Sequence, residues 1–262
     1  MTLDQNKIYC GDNSILIENL ESEKIDLTVS SPPYDSLRTY NGYTWDYQKL
    51  IKELYRVTKI GGTVVWIIND ATINGSETGS SFKQALYFIE CGFNLHDTMI
   101  WRKDTCGMPS SIRYGQCFEY MFIFTKGKIK TFNPIEDRPN KYAGSKVHGT
   151  YRDKTGSLHK RSGEWINHVI PELGARFNVW DISTEKSNKT GHPATFPIAI
   201  ATDHILSWSN PGDIILDPFM GSGTVALACI ETGRNYIGFE ISFEYIELAN
   251  SRLNTEKEIR CK

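Results

Sequence analysis

Ile214-Ile215-Leu216-Asp217-Pro218-Phe219-Met220-Gly221-Ser222-Gly223-Thr224 reads as a short buried strand running straight into a glycine turn. The apolar run Ile214–Leu216 suits a strand covered on both faces. A helix, Val225 to Thr232, follows at once. Glycines at such a turn let the backbone approach a ligand closely, and the helix start presents free N–H groups. In open α/β sheets, ligands bind just past the carboxyl ends of the strands. The next strand, Tyr236-Ile237-Gly238-Phe239, ends in Glu240. An acid there can accept hydrogen bonds from both hydroxyls of a ribose. Glycine turn and acid together point to a cofactor that carries a nucleoside.

Three cofactor classes compete for this turn. A phosphate loop needs Gly-Lys-Ser/Thr, and no lysine lies here, so ATP falls away. A nicotinamide site usually shows G-x-G-x-x-G, whereas Gly221-Ser222-Gly223 is followed by Ala226 at the third position. S-adenosylmethionine has a sulfonium and an amino-acid end. Both call for carboxylates and carbonyls rather than a phosphate cradle, and Asp217 ends the strand where such an acceptor helps.

Outward from the turn, strands alternate with helices. Lys24–Ser30, Thr63–Ile68, Asn94–Trp101 and Glu119–Phe124 read as strands, as do Asp213–Leu216 and Asn235–Phe239. Trp45–Val57, Phe82–Cys91, Ala194–Trp208 and Glu244–Leu253 read as helices, with Gly61-Gly62 stopping the first. The alternation predicts an α/β fold with a doubly wound, mostly parallel sheet covered on both faces. From Lys126 to about Gly191 the periodicity fades, and so long an irregular stretch is seldom without purpose. The expected organisation is 1–126 and 192–262 as two halves of one domain, with 127–191 inserted.

The insert is also basic. Lys126, Lys128, Lys130, Arg138, Lys141, Lys146, Arg152, Lys154, Lys160 and Arg161 are opposed only by Glu136, Asp137 and Asp153. The whole chain, with a net charge of -2, is no polycation, so nucleic-acid binding needs such a local surface. Taken alone, the stretch reads equally well as a solvated loop. The cysteines, Cys10, Cys91, Cys106, Cys117, Cys229 and Cys261, form no C-x-x-C pair and read as reduced thiols, with Cys10, Cys91 and Cys229 beside apolar runs. The histidines show no metal spacing. No apolar run is long enough to span a membrane, and Met1–Tyr9 lacks the core of a signal peptide, so a cytoplasmic location is expected.

Ser31-Pro32-Pro33-Tyr34 follows the strand Lys24–Ser30, so it also sits at the carboxyl edge of the sheet. A bare S-P-P-Y is a proline-rich turn, but a cofactor loop at the same edge changes its meaning. An exocyclic amino nitrogen of a base is a poor nucleophile, because its lone pair is delocalised into the ring. Attack on a methyl group makes it tetrahedral and partly positive. An acceptor at Ser31 and the Pro32 carbonyl could hold its two hydrogens and stabilise the developing charge. The prolines lock the backbone and leave that carbonyl free. The Tyr34 ring can stack on an extruded base, worth about 1–3 kcal/mol, against a flipping cost of a few kcal/mol. Methylation at cytosine carbon 5 typically uses a Pro-Cys nucleophile, and no proline here precedes a cysteine.

With these residues in hand, the chain resembles the S-adenosylmethionine-dependent DNA amino-methyltransferases. Ser31-Pro32-Pro33-Tyr34 matches their catalytic motif, Asp217-Pro218-Phe219-Met220-Gly221-Ser222-Gly223-Thr224 their cofactor loop, and Glu240 their ribose-binding acid. Gly11-Asp12 matches a pair near the cofactor's adenine. His192-Pro193-Ala194-Thr195-Phe196-Pro197 matches a segment that closes over the methionine end. The catalytic motif precedes the cofactor loop, which resembles the permuted arrangement called the β group.

The resemblance implies a Rossmann-like domain and S-adenosylmethionine bound by Asp12, Thr195, Phe196, Pro197, Asp217, Pro218, Phe219, Gly221, Ser222, Gly223, Thr224 and Glu240. It implies no metal, and double-stranded DNA as partner, with a target-recognition region near Gly127–Gly191 whose cations hold phosphates. Arg38, after the catalytic turn, is either a DNA contact or a solvated charge. Gly107-Met108-Pro109-Ser110-Ser111 with Arg113 resembles a segment near the base pocket and reads equally well as a plain loop. Trp180 reads as a packing anchor of the insert. A serine in the first motif position resembles the cytosine-N4 members, while adenine-N6 members more often carry Asp or Asn. A homodimer and a cognate restriction endonuclease are both compatible with the family, and the sequence selects neither.

Three rival functions differ in class. The first is an enzyme on another substrate, RNA or a protein amide nitrogen; protein-glutamine methyltransferases use a similar Pro-Pro-Tyr turn, but there the cofactor loop comes first in the chain. A non-catalytic DNA-binding protein would not need both motifs intact. A nicotinamide oxidoreductase is disfavoured by the glycine pattern.

Overall fold

The computed structural model describes residues 3–34, 45–147, 149–161, 168–184 and 196–260. The chain forms two compact units, one from Met1–Asn133 with Asn178–Lys262, the other from Pro134–Phe177.

The first unit is built on an eight-stranded sheet. In chain order its strands are β1 (Lys7–Cys10), β2 (Ile25–Ser30), β3 (Thr58–Ile68), β4 (Asn94–Arg102), β5 (Phe118–Thr125), β6 (Val179–Asp181), β7 (Ile214–Asp217) and β8 (Asn235–Glu240). Across the sheet they run β1-β8-β7-β2-β3-β5-β4-β6. All neighbours are parallel except those of β5, which pairs antiparallel with β3 and β4. Seven carboxyl ends therefore share one edge. The expected doubly wound, mostly parallel fold is what forms.

The helices are α1 (Asn13–Leu16), α2 (Tyr47–Val57), α3 (Ser80–Glu90), α4 (Ile198–Trp208), α5 (Thr224–Thr232) and α6 (Phe243–Arg260). Helix α2 starts where the Asp46 carboxylate accepts from the N–H groups of Gln48 and Lys49, which satisfies donors the helix leaves open. Its Leu50, Ile51, Leu54 and Val57 are fully buried with Val64, Trp66 and Ile68 of β3 in one core cluster. Each such side chain contributes roughly 1.5–3 kcal/mol by leaving water. Strand residues Val65 and Ile67, equally buried, point to the opposite face. Helix α4 packs against β2 and α5.

Three local readings differ from the structure. Gly61-Gly62, expected to stop α2, lies inside β3. The helix ends at Val57, and the register between β2 and β3 shifts between Ile25 and Leu27. A Cβ at Gly62 would lie 2.9 Å from the Asp26 carbonyl oxygen, so only glycine passes here. The insert was expected over 127–191, but the second compact unit is shorter. Val179–Asp181 is a strand of the main sheet, with Trp180 opposite Trp101 and stacked on His204 at 4.5 Å. Strand β1 carries no continuous apolar signal, because it lies at the sheet edge and, among the described residues, pairs with β8 alone. For the same reason Cys10 is exposed, whereas Cys229 is buried. No helix is long and apolar enough, among the described residues, to cross a membrane.

Candidate active site

Strands β2 and β7 are parallel neighbours, with Leu216 opposite Thr28. Their tips are joined directly: the Ser30 hydroxyl donates to Asp217 Oδ1 at 2.6 Å. The Phe219 N–H donates to the same oxygen at 3.0 Å. Asp217 is 2% exposed. Its carboxyl is pushed up to about 7, raised most by burial and also by the nearby Glu240, and held back by the bonds from Ser30 and Phe219. No cation pairs with it among the described residues.

The glycine turn is held from several sides. Gly223, with φ +82°, starts α5, and a Cβ there would sit 3.0 Å from the Ala249 Cβ of α6. The Gly221 N–H donates to Glu240 Oε2, and the Ser242 N–H to Oε1, both at 2.8 Å. Each carboxylate oxygen keeps lone-pair capacity beyond that one bond. Burial raises the Glu240 carboxyl, partly offset by these backbone donors.

Two residues that sequence reasoning missed complete the turn. Asn13 is buried and donates to the Pro218 carbonyl at 3.1 Å. Arg252, from α6, donates to the carbonyl and hydroxyl of Ser222. Asn13 had a signal, adjacency to Gly11-Asp12. Arg252 had none, because nothing local ties a helix to a loop 30 residues earlier. Asp12 is exposed and caps α1 through the Ser14 N–H. The Gly11 N–H donates to the Glu240 carbonyl at 2.9 Å, which sets this turn beside the ribose-binding candidate.

Ser31-Pro32-Pro33-Tyr34 leaves the β2 tip with Pro32 buried and the other three half-buried. Ser31 Oγ lies 2.9 Å from the Tyr34 hydroxyl, which donates to Glu119 Oε2 at 2.7 Å. Lys103 pairs with the other oxygen of Glu119. The Tyr34 ring packs against the core cluster. Glu119 and Lys103 escaped sequence reasoning, because each looks like an ordinary charge at a strand end.

Phe196 is half-buried and Pro197 buried, where the chain enters α4. Arg38 and Thr195, with His192-Pro193-Ala194, lie outside the described residues. The basic residues divide. Lys126 was expected on DNA, but its ammonium donates to the Thr58 carbonyl at 2.9 Å, pairs with Glu23 and lies 4.8 Å from the Tyr55 ring centre. With a side chain 12% exposed, it is a packing residue, and that expectation is corrected. Lys128 and Lys130 are exposed, but the Lys130 N–H donates to the Gly61 carbonyl. They therefore lie near the start of β3, at the edge opposite to Ser31 and Asp217.

The remaining seven are in the second unit. Arg138 is tied to the Ala175 carbonyl and stacks on Phe177 at 4.3 Å. Lys141, Lys146, Arg152, Lys154 and Lys160 are exposed and Arg161 is half-buried. Arg152 and Lys160 sit on a hairpin, Thr150–Arg152 against Leu158–Lys160.

A sheet with two motif-bearing strand tips joined at one edge defines a class, and the chain belongs to the DNA amino-methyltransferases of the N6/N4 family. The matching family model, described as DNA methylase, covers residues 25–251. The chain is 54% identical over 248 residues to the orphan methyltransferase M.BamHII of Bacillus amyloliquefaciens, covering 90% of this chain and 91% of that one. Among solved structures it is similar to the M1.HpyAVI complex with S-adenosylmethionine, at 25% identity and TM-score 0.62, covering 94% and 98% of the two chains. The PvuII cytosine-N4-specific DNA methyltransferase shares the fold, at 21% identity and TM-score 0.67, covering 95% and 86%.

S-adenosylmethionine is therefore the cofactor, and DNA the substrate class. The residues at the carboxyl edge fit that cofactor. A buried carboxylate with no cation beside it among the described residues suits a positively charged ligand, and Glu240 keeps acceptor capacity for ribose hydroxyls.

Proposed function

We propose that the chain methylates the exocyclic N4 of cytosine in duplex DNA, acting on a base extruded from the stack. One contact supports this most: Ser30, the neighbour of Ser31, donates to Asp217 at 2.6 Å. An acceptor at Ser31 and a methyl donor held by the Asp217 loop would then share one small volume. Asp12, Thr195, Phe196 and Pro197 would complete the cofactor site with the Asp217–Thr224 loop and Glu240. S-adenosylmethionine supplies the methyl group as a sulfonium.

The amino nitrogen would form a bond to the methyl carbon as the carbon–sulfur bond breaks, the sulfur leaving as a neutral thioether and one amino proton passing to water. Ser31 Oγ and the Pro32 carbonyl hold its hydrogens while its charge grows. Tyr34, half-buried beside Ser31, would contact the extruded base. Exposed cations of the second unit hold phosphates, so Pro134–Phe177 is the target-recognition module. Arg38 remains a candidate DNA contact.

Serine at position 31, rather than Asp or Asn, favours cytosine N4. Mass spectrometry of nucleosides from methylated DNA is expected to yield N4-methylcytosine. N6-methyladenine instead would overturn the choice of base and leave the family assignment standing.

A further inference from the structure

We infer that Glu119, held by Lys103, is a positioning residue that fixes Ser31 as a pure hydrogen-bond acceptor, acting through Tyr34. The inference rests on the proposed role of Ser31 in holding the target amine. Glu119 lies in β5 opposite Trp101 of β4, and Lys103 follows β4, its N–H bonded to the Cys117 carbonyl at 2.8 Å. Two neighbouring strands thus deliver a cation and an anion to the edge where Ser31 emerges. Glu119 is 7% exposed, and its two oxygens are divided between Lys103 and Tyr34.

The direction of the chain follows from counting protons. A carboxylate paired with an ammonium only accepts. The Tyr34 hydroxyl therefore spends its single proton on Glu119 Oε2, at 2.7 Å. Towards Ser31, 2.9 Å away, the phenol oxygen can then only accept. Ser31 must donate its own proton to Tyr34, which leaves only lone pairs of Oγ for any other group. An exocyclic amine approaching Ser31 thus meets an acceptor, polarised further by the charged end of the chain. With the chain reversed, the Ser31 proton would be free to bond the amine lone pair, the electron pair that must attack the methyl carbon.

Glu119→Gln reverses the chain at small steric cost. Lys103 holds the amide oxygen, the amide N–H donates to Tyr34, and Tyr34 then donates to Ser31. In single-turnover and steady-state transfer from labelled S-adenosylmethionine to duplex DNA, kcat is expected to fall about a hundredfold, the scale of one lost transition-state hydrogen bond. The KM values for cofactor and DNA should stay within about twofold, as they do when only the transition state loses an interaction.

Tyr34→Phe removes the link. In that background Glu119→Gln should cost nothing further, whereas a merely structural effect of Glu119 would add to that of Tyr34→Phe. If Glu119→Gln does not fold, Lys103→Met is read in the same cycle, with the same non-additivity expected. An active wild type with Glu119→Gln at full kcat, or additive losses in either cycle, overturns the inference and leaves the proposed function intact. A wild type that transfers nothing to any DNA overturns both.

Discussion

The Ser30 hydroxyl and the Asp217 carboxylate, 187 residues apart in the chain, meet at 2.6 Å between the tips of adjacent parallel strands. That bond joins the strand that delivers Ser31 to the strand that delivers the cofactor loop. Ser30→Ala removes a buried donor from a buried carboxylate. The variant is expected to lose about 1–3 kcal/mol of stability, read from chemical denaturation without cofactor. Cofactor affinity, read by calorimetry, should weaken in parallel. An unchanged denaturation midpoint would mean that the two tips are held together by packing alone.

Asp217 also sets a pH dependence. Its carboxyl sits at about 7 in the folded chain, against an ordinary value of 3.8, with burial as the main cause. The folded state therefore binds more protons than the unfolded state between those values. Stability without cofactor is full below about pH 4 and declines as pH rises to about 7. Glu240, also raised by burial, acts in the same sense. A cationic ligand selects the ionised carboxylate, so the affinity for S-adenosylmethionine should rise as pH climbs towards 7, by up to about tenfold per unit. Calorimetry from pH 5.5 to 8, in roughly half-unit steps, checks this. Asp217→Asn should bind weakly with a flatter profile, and a wild type with no slope would place the ligand's charge elsewhere.

Gly223 tests the close packing behind the loop. At φ +82°, with Ala249 3.0 Å from the position of a Cβ, Gly223→Ala carries a left-handed backbone cost of about 1–2 kcal/mol and displaces α6. The thermal midpoint and cofactor affinity should both drop. Arg252→Met, which frees the Ser222 carbonyl and hydroxyl, should lower cofactor affinity without altering the target base. Nucleoside mass spectrometry of its product would show any change of base.

The two groups of cations should separate on DNA. Substituting Arg152, Lys154 and Lys160 by Gln, all exposed on or beside the hairpin of the second unit, should weaken binding. It should also reduce the salt slope of log K by about 0.9 for each lost phosphate contact. Substituting Lys128 and Lys130, at the sheet edge opposite to Ser31, should leave both unchanged. Fluorescence anisotropy across a range of salt concentrations reads the two sets side by side. A slope that falls only with the second pair would move the DNA to the other edge.

The sequence by itself determined the sheet's character, its mostly parallel order and both strand-tip motifs. These depend on local properties: buried apolar runs such as Ile214–Leu216, and turns whose prolines and glycines admit few backbone shapes. Ser31, Asp217 and Glu240 were legible because each stands at the end of such a strand. Only the tertiary structure decided which other residues serve those motifs. Glu119, Lys103, Asn13 and Arg252 reach their partners across the sheet or from another helix, and no short-range pattern encodes a contact made by folding distant segments together. It also separated Lys126 from the other cations of its run, since one lysine's burial depends on where Glu23, Tyr55 and Thr58 come to rest, not on the charges beside it in the chain.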